Sequence, residues 1–414
     1  MNEVREKSSA AKKAAFTLGL AKTEQKNEAL GYIASLLEEK TAAIIAENEM
    51  DLANGKEKGL TDSMLDRLRL TPERISGMAE GVRQVMALKD PDKTILMERV
   101  LENGLRIQKV TVPFGVIGII YEARPNVTID AAVLCIKSGN ACVLRGGSEA
   151  IHSNTILMNI LKEGLEKAGL DPHGTELIEN TDRELVAEML KTRDLIDVII
   201  PRGGAGLISF VVQNSTVPVI ETGSGICHTY VDKDADLKKA AEIAVNAKVS
   251  RPSVCNAMET LLVHKEVYAE FLDTLIPVLQ EKGVEIRGDE NVYSRYADVK
   301  KASEKDWETE YNDLILSIRV VDSADQAIEH INRYSTKHSE CIVTENTALQ
   351  ERFLNSIDAA AVYVNASTRF TDGFEFGFGA EIGISTQKMH ARGPMGLEAL
   401  VSYKYKVYGN GQTR

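Results

Sequence analysis

The sequence predicts an α/β protein in which mostly parallel sheets are covered by helices. Short apolar runs typical of buried strands, such as GVIGIIY at 115–121, alternate with helical patterns. This alternation begins near residue 112 and restarts near residue 224, which indicates two successive α/β domains. At 414 residues, the chain is long enough for two or three domains of about 150 residues each.

The first half of the chain combines a helical N-terminal region with one series of strands and helices. Apolar residues recur at helical spacing from residue 1 to about 98. A helix predicted at 126–138 ends before Gly139, and Thr181 with Glu184 matches the capping box that begins a further helix. The strands predicted here are 115–121, 141–145, 176–180, 195–200 and 217–221.

The second half repeats this alternation. Helices are predicted at 235–247 and near 265–282. The predicted strands are 228–232, 258–264, 341–345 and 361–365.

Two further segments alternate apolar and polar residues. In segment 99–112, Asn103-Gly104 lies between two short runs and predicts a hairpin with a two-residue turn. The tail 401–409 predicts a terminal edge strand. Because exposed strand edges need to be covered, both segments indicate subunit contact.

Composition excludes several classes of function. The 49 lysines and arginines against 61 acidic residues give a net charge of −12, which disfavours binding to nucleic acid or to a membrane surface. We see no secretory signal and expect a cytoplasmic protein. Five irregularly spaced cysteines predict reduced thiols, and the missing CxxC and HExxH motifs give no support for a metal site.

Cys255 is the candidate nucleophile. It follows Pro252 in a polar, turn-like segment, where a thiol can face a cleft and Arg251 can contribute positive charge. The alternative is a small buried hydrophobic residue, which is the usual fate of a cysteine. Three others fit that alternative, because Cys135, Cys142 and Cys341 lie in apolar helix or strand patterns.

Three polar features permit two interpretations each. Glu221, after a predicted strand, is a capping residue or an acid–base catalyst. Asn126, at a helix start, is an N-cap or a donor to an oxyanion. The glycine-rich segment 202–206 is a simple turn or a phosphate-binding turn at a helix N-terminus.

Six motifs stand out between residues 113 and 397: PFGVIGIIYEARPN, SGNACVLRGGSEA, IETGSGICHTYVDKDADL, SRPSVCNA, AIEHINRYSTKHSECI and FTDGFEFGFGAEIGISTQKMHARGPMGL. In order and spacing they resemble the aldehyde dehydrogenase superfamily and, within it, the γ-glutamyl phosphate reductase family. The resemblance covers nearly the whole chain. Glu221 and Cys255 are 34 residues apart, as the superfamily's general base and nucleophile are.

The resemblance implies a division of the chain into three parts. A Rossmann-type NADP-binding domain would contain 1–98 and 113–223, and a second α/β domain, 224–385, would be catalytic. Segments 99–112 and 386–414 would form a small β oligomerisation element. This predicts a homo-oligomer, most simply a dimer. The resemblance also leaves open whether glutamate 5-kinase docks to pass on its product.

The resemblance further implies a reaction and its residues. L-Glutamyl 5-phosphate would be reduced by NADPH to L-glutamate 5-semialdehyde, in proline biosynthesis, through a thioester on Cys255. The rival readings are a hydrolytic aldehyde dehydrogenase of another aldehyde and a non-catalytic relative. The residues that this match assigns are Cys255, Asn126 and Glu221 for catalysis, and Arg145, Ser148, Gly203, Gly204, Gly206 and Glu310 for the cofactor.

Substrate recognition is predicted from charge and position. Arg369 and Asp372, in the loop after the predicted strand 361–365, carry one charge of each sign, suited to an α-carboxylate and an α-ammonium group. The alternative is a solvated surface loop. Arg251, Arg124 and Ser253 are the candidates for binding the phosphate group.

Overall fold

A computed structural model describes residues 2–414, which divide into two compact units. Unit 1 contains the chain through Glu221 together with Gly377–Gly383 and Met395–Arg414. Unit 2 contains Thr222–Phe376 and Ile384–Pro394. The functions assigned above to the segments of the chain stay predictions.

Unit 1 begins with five helices: α1 (Glu3–Leu20), α2 (Thr23–Glu39), α3 (Thr41–Glu57), α4 (Asp62–Leu68) and α5 (Pro72–Ala87). The hydroxyl of Thr71 accepts a hydrogen bond from the Arg74 amide at 3.2 Å, and Pro72 occupies the first turn, so α5 has a defined start. The helical prediction through residue 98 extends too far, because Ile95–Val100 pairs as a strand.

A four-stranded parallel sheet follows, in the order β5-β4-β3-β6. Every residue of its strand β3 is buried, as the apolar run predicted. Its strands are β3 (Val116–Tyr121), β4 (Ala141–Arg145), β5 (Thr175–Leu177) and β6 (Val198–Arg202). The helices between and after them are α6 (Asn126–Lys137), α7 (Ile151–Lys167), α8 (Glu184–Met189) and α9 (Ala205–Asn214).

Two local predictions in this region are wrong. Segment 217–221 makes only one bridge, between Val219 and Ile199, and Pro218 has no N–H with which to extend a ladder. Thr181 does not cap α8. The Asp182 carboxylate accepts the hydrogen bond from the Glu184 amide at 2.9 Å instead.

A second, antiparallel sheet in unit 1 joins β1 (Ile95–Val100), β2 (Arg106–Pro113) and β16 (Val401–Tyr408) in that order. The hairpin is confirmed, but its turn is longer than two residues. The Leu101 amide donates to the Leu105 carbonyl at 2.8 Å, and Gly104 has φ +85°. The C-terminal strand lies at an edge, as predicted.

Unit 2 contains a seven-stranded parallel sheet in the order β10-β9-β11-β8-β7-β12-β13. Its strands are β7 (Cys227–Val231), β8 (Met258–His264), β9 (Glu285–Gly288), β10 (Lys300–Lys301), β11 (Ile315–Val321), β12 (Ser339–Val343) and β13 (Ala361–Val364). A small antiparallel pair, β14 (Ile384–Ser385) and β15 (Gly393–Pro394), completes it.

The helices of unit 2 cover this sheet and bury an apolar core against it. Leu261 and Ile318 on the sheet lie in one core cluster with Phe271 and Leu275 on a helix, and all four are buried. The helices are α10 (Leu237–Val249), α11 (Tyr268–Glu281), α12 (Glu290–Arg295), α13 (Glu304–Trp307), α14 (Ala324–Tyr334) and α15 (Thr347–Ser356). Across residues 2–414, we find no helix with both the length and the apolar character needed to cross a bilayer.

Candidate active site

Cys255 lies in the short connection between α10 and β8 of unit 2. All five cysteines fall within residues 2–414, and Cys255 is the partly exposed one, whereas the others are buried. Burial raises the pKa of Cys341 to about 12 and also raises that of Cys227. Only the Cys255 thiol therefore combines access with the setting that a nucleophile needs.

The main chain of Cys255 is enclosed by the loop before β7. A Cβ built on Gly225 would lie 1.4 Å from the Cys255 carbonyl oxygen, so only glycine fits there. The thiol of Cys227 donates to the same carbonyl oxygen at 3.2 Å. This carbonyl is thus held in one direction.

Asn256, the residue after Cys255, is buried and joins this segment to the loop that contains Arg369. Its side-chain nitrogen donates to the Thr371 carbonyl at 2.9 Å, and its side-chain oxygen accepts from the Arg369 guanidinium. Arg369 also donates through Nε to the Ser250 hydroxyl at 3.0 Å. The guanidinium is therefore fixed to the segment that contains Cys255.

Two other predicted substrate residues, Arg251 and Asp372, are charged neighbours of Arg369. Burial lowers the pKa of Arg369, and repulsion by Arg251 lowers it further, while Asp372 and the Cys255 thiol act in the opposite direction. Arg251 and Ser253 are exposed in the same connection as Cys255. Asp372 also caps its own turn by accepting from the Phe374 amide at 2.9 Å. The guanidinium groups of Arg251 and Arg369 therefore place positive charge near the accessible Cys255 thiol.

Asn126 and Arg124 belong to unit 1, in the region between β3 and α6. Asn126 is the first helical residue and not the N-cap, so that interpretation of it is wrong. Its side-chain nitrogen donates to the Asp130 carboxylate at 2.9 Å. Burial raises the pKa of Asp130 to about 6 although this hydrogen bond lowers it. An amide has two N–H groups, and one of them is used in this contact.

Glu221 is the last residue of the first segment of unit 1 and is partly exposed. It follows the single bridge at Val219 instead of ending a regular strand. Its role as a catalytic residue stays a prediction.

The predicted cofactor residues of unit 1 lie at the carboxyl ends of β4 and β6. Arg145 ends β4 and donates to the carbonyls of Gly146 and Thr181, at 2.9 and 2.8 Å. Its Nε is buried without a hydrogen-bond partner among residues 2–414. Ser148 begins a short turn after Gly146-Gly147. Because β3, β4 and β6 are parallel neighbours, these groups share the edge where open α/β sheets bind ligands.

The glycine-rich turn between β6 and α9 already holds a carboxylate. The Gly204 amide donates to Glu122 at 3.2 Å. A Cβ on Gly203 would lie 2.6 Å from the Glu122 side chain, whereas one on Gly206 would meet nothing within 4 Å. The turn presents N–H groups at a helix N-terminus, an arrangement that fits a phosphate, and the Glu122 carboxylate occupies one of these N–H groups.

Glu310 lies in the connection between α13 and β11 of unit 2. Its carboxylate accepts from the Gly225 amide at 2.7 Å, so it supports the loop that contacts Cys255. The family resemblance implied that Glu310 binds the cofactor, and that role stays a prediction.

Sequence reasoning missed Asn256, Gly225, Cys227 and Glu122. Asn256 stands next to the nucleophile, and Glu122 stands in the EARPN motif, so position alone gave a signal for both. Their contacts are with residues far away in the chain, which no local pattern shows. Among residues 2–414, no three His, Cys, Asp or Glu side chains are grouped so that they could hold a metal ion.

Comparisons with known proteins show the family to which the chain belongs. The model of the aldehyde dehydrogenase family matches residues 1–292. The chain is 56% identical over all 414 residues to a gamma-glutamyl phosphate reductase of Clostridium botulinum, with both chains fully covered. It is 57% identical to one of Moorella thermoacetica, covering 100% of this chain and 99% of that one.

Solved structures give the same result. The gamma-glutamyl phosphate reductase of Thermotoga maritima is 50% identical, with a TM-score of 0.98 and complete coverage of both chains. An acetylating aldehyde dehydrogenase from Geobacillus thermoglucosidasius has 17% identity and a TM-score of 0.70, covering 100% of this chain and 97% of that chain, which supports the fold alone. The predicted α/β fold is therefore confirmed, and the chain belongs to the aldehyde dehydrogenase family and, within it, to the gamma-glutamyl phosphate reductases.

Proposed function

We propose that this chain reduces L-glutamyl 5-phosphate with NADPH to L-glutamate 5-semialdehyde and inorganic phosphate, a step of proline biosynthesis. The observation that carries the proposal is the accessible Cys255 thiol, whose neighbour Asn256 binds the Arg369 guanidinium. A nucleophile next to a fixed cation suits a substrate that carries a reactive acyl group and negative charge.

The covalent chemistry belongs to Cys255. Its thiolate attacks the acyl carbon, the bond from that carbon to the phosphate oxygen breaks, and phosphate leaves a thioester on the sulfur. NADPH, when bound, supplies the hydride that reduces this thioester. The carbon–sulfur bond then breaks, which releases the aldehyde and returns the electron pair to the thiolate.

Each tetrahedral stage places negative charge on the former carbonyl oxygen. We assign its stabilisation to the second N–H of the Asn126 amide and to the main-chain N–H of Cys255. Loss of one such donor costs about 10²–10³ in rate in other enzymes. The hydrogen bond from Asn126 to Asp130 fixes which end of the amide is the donor, because an ionised carboxylate only accepts.

The residues at the sheet edge of unit 1 fit a phosphorylated dinucleotide. The orphaned Nε of Arg145 marks a buried donor suited to an anion, and Arg145 with Ser148 would hold the 2′-phosphate that distinguishes NADPH. Gly203, Gly204 and Gly206 would admit the pyrophosphate to the N-terminus of α9. Glu310 would contact the nicotinamide ribose.

The two ends of the substrate are assigned to different groups. We propose that Arg369 and Asp372 bind the α-carboxylate and α-ammonium groups. Arg251, Arg124 and Ser253 are the candidates for the departing phosphate. Arginine suits both anions because its fork donates two parallel hydrogen bonds.

The antiparallel sheet of unit 1 suits assembly into a homo-oligomer, most simply a dimer. Its two edge strands expose Val100 and Val407 by 69% and 56%, and unpaired edges are usually covered. Sedimentation velocity checks this, with a single monomeric species as the contrary result. Cytoplasmic location and docking of glutamate 5-kinase remain expectations.

The experiment that tests the reaction is NADPH formation from glutamate semialdehyde and NADP⁺ during a phosphate titration, in a buffer free of phosphate. Since phosphate leaves in the forward direction, it must attack the same thioester in reverse. We expect the rate to rise from near zero and to saturate with phosphate. A full rate without phosphate would establish the hydrolytic alternative.

A variant of Glu221 sharpens this test. In hydrolytic members of the superfamily, the glutamate at this place activates water. Acyl phosphate reduction needs no water, so Glu221→Gln should keep the phosphate-dependent rate and lose any residual phosphate-independent rate. Loss of both rates would assign Glu221 another catalytic task.

A further inference from the structure

A buried ion pair joins the two ends of the segment that contains Cys255. Lys248 lies in the last turn of α10 and Glu259 near the start of β8, one on each side of the nucleophile. Their charged atoms are 2.6 Å apart, and the side chains are 0% and 1% exposed. Because desolvation offsets much of the attraction in such a pair, its main consequence is geometric.

The same pair holds a second loop. The other oxygen of Glu259 accepts from the main-chain amide of Asn312 at 3.2 Å. Asn312 has φ +55°, a left-handed conformation that needs support in a residue other than glycine. Glu310 lies two residues earlier in this loop, so the buried pair fixes the segment from which Glu310 reaches out.

Glu310 in turn controls the surroundings of the nucleophile. Its carboxylate accepts from the Gly225 amide at 2.7 Å, and Gly225 packs directly on the Cys255 carbonyl. A displaced Gly225 would let that carbonyl rotate. Rotation about the Cα–C bond of Cys255 would move its thiol relative to the segment that follows it, which begins with Asn256.

We propose that Glu310 is a positioning residue for Cys255, with the Lys248–Glu259 pair as its anchor. This role is additional to any contact of Glu310 with the cofactor, and it operates before cofactor binds. It rests on the proposed function only in taking Cys255 as the nucleophile. The hydrogen bond to Gly225, and not the negative charge as such, is the essential feature.

Two conservative variants of Glu310 separate a role of its hydrogen bond from a role of its charge. Glu310→Gln keeps an oxygen that accepts from Gly225 and loses the charge, whereas Glu310→Asp keeps the charge but is one methylene too short to reach. The readout is the rate of iodoacetamide alkylation at Cys255 in the full-length, cofactor-free protein, followed by peptide mapping. Glu308→Ala, an exposed position in the same connection, is the matched control.

We expect Glu310→Asp to slow alkylation of Cys255 roughly tenfold, with Glu310→Gln and Glu308→Ala within about twofold of the wild type. Wild-type alkylation in Glu310→Asp, or slow alkylation in Glu310→Gln, would overturn the positioning role. If Glu310→Asp does not fold, Glu310→Ala takes its place, because alanine also removes the oxygen that accepts from the Gly225 amide. Slow alkylation of Cys255 in that variant supports the positioning role, and wild-type alkylation overturns it.

Failure of the proposed function can be distinguished from failure of the positioning role. If wild-type Cys255 is labelled no faster than the buried Cys341, the nucleophile assignment fails, whatever the Glu310 variants show. If Cys255 labels rapidly and Glu310→Asp equals the wild type, only the positioning role fails. A rise in the KM for NADPH in both Glu310 variants without a change in alkylation would place Glu310 at the cofactor alone.

Discussion

Arg369 donates a hydrogen bond to the side-chain oxygen of Asn256, the residue that follows Cys255 in the chain. Asn256 also donates back to the Thr371 carbonyl. The segment that contains Cys255, the predicted nucleophile, is therefore hydrogen-bonded to the loop expected to recognise substrate. An anion bound by Arg369 would therefore lie close to the Cys255 thiol.

Replacing Cys255 with alanine should abolish reductase turnover while the protein stays folded, because the covalent step has no substitute nucleophile. The side chain is small and partly exposed, so the thermal midpoint should change by no more than about 2 °C. Steady-state NADPH oxidation and a calorimetric scan check both parts. Peptide mapping after iodoacetamide gives the opposing result if Cys135 or Cys341 is modified and Cys255 is not.

Replacing Arg369 with alanine should raise the KM for glutamate semialdehyde at least tenfold, since a charge-assisted hydrogen bond contributes about 1.5–3 kcal/mol. Arg369→Lys should fall between alanine and wild type, because lysine keeps the charge without the fork. Arg352→Ala, an exposed arginine on α15, is the control. Unchanged KM and turnover in Arg369→Ala would mean that this loop does not bind substrate.

Replacing Glu122 with glutamine should lower the KM for NADPH by a factor of about 2–5, because a negative charge leaves the N-terminus of α9. The effect should shrink at high salt. Glu184→Gln, an exposed acidic residue at the start of α8, should leave this KM unchanged. An increase in the KM of Glu122→Gln would show that Glu122 helps to hold the cofactor instead of competing with it.

Asp130 should make stability depend on pH. Its pKa is raised to about 6 in the folded protein, mainly by burial, from the ordinary value of 3.8, so the folded state binds the proton more tightly. This contribution is present below pH 4 and is lost as the pH rises towards 6. Asp130→Asn should therefore gain on the order of 1–3 kcal/mol relative to wild type at pH 8 but not at pH 4.

Urea unfolding at the two pH values measures this difference. Glu179→Gln is the control, because that carboxylate is exposed at the surface of unit 1. Equal shifts for Asp130→Asn at pH 4 and pH 8 would contradict the raised pKa. A fall in turnover without loss of stability would show in addition that the Asn126 amide needs its ionised partner.

Local sequence patterns were sufficient to predict the alternation of strands and helices and the candidate nucleophile. Strands such as β3 are buried on both faces, so their residues are apolar without interruption, and this is visible locally. The Asn103-Gly104 pair also predicted the hairpin, because turn preference is a property of neighbouring residues. Cys255 was distinguished by its polar, proline-flanked surroundings, which are a local property too.

Features that depend on residues distant in the chain could not be predicted from local patterns. Segment 217–221 could form a strand only by pairing with a neighbouring strand. Pro218 limits that pairing to one bridge. Asn256 and Arg369 are 113 residues apart in the chain, and Gly225 packs on Cys255 from another loop. Hydrogen bonds and close approaches of this kind follow from how parallel strands order themselves in a sheet, which no local periodicity specifies.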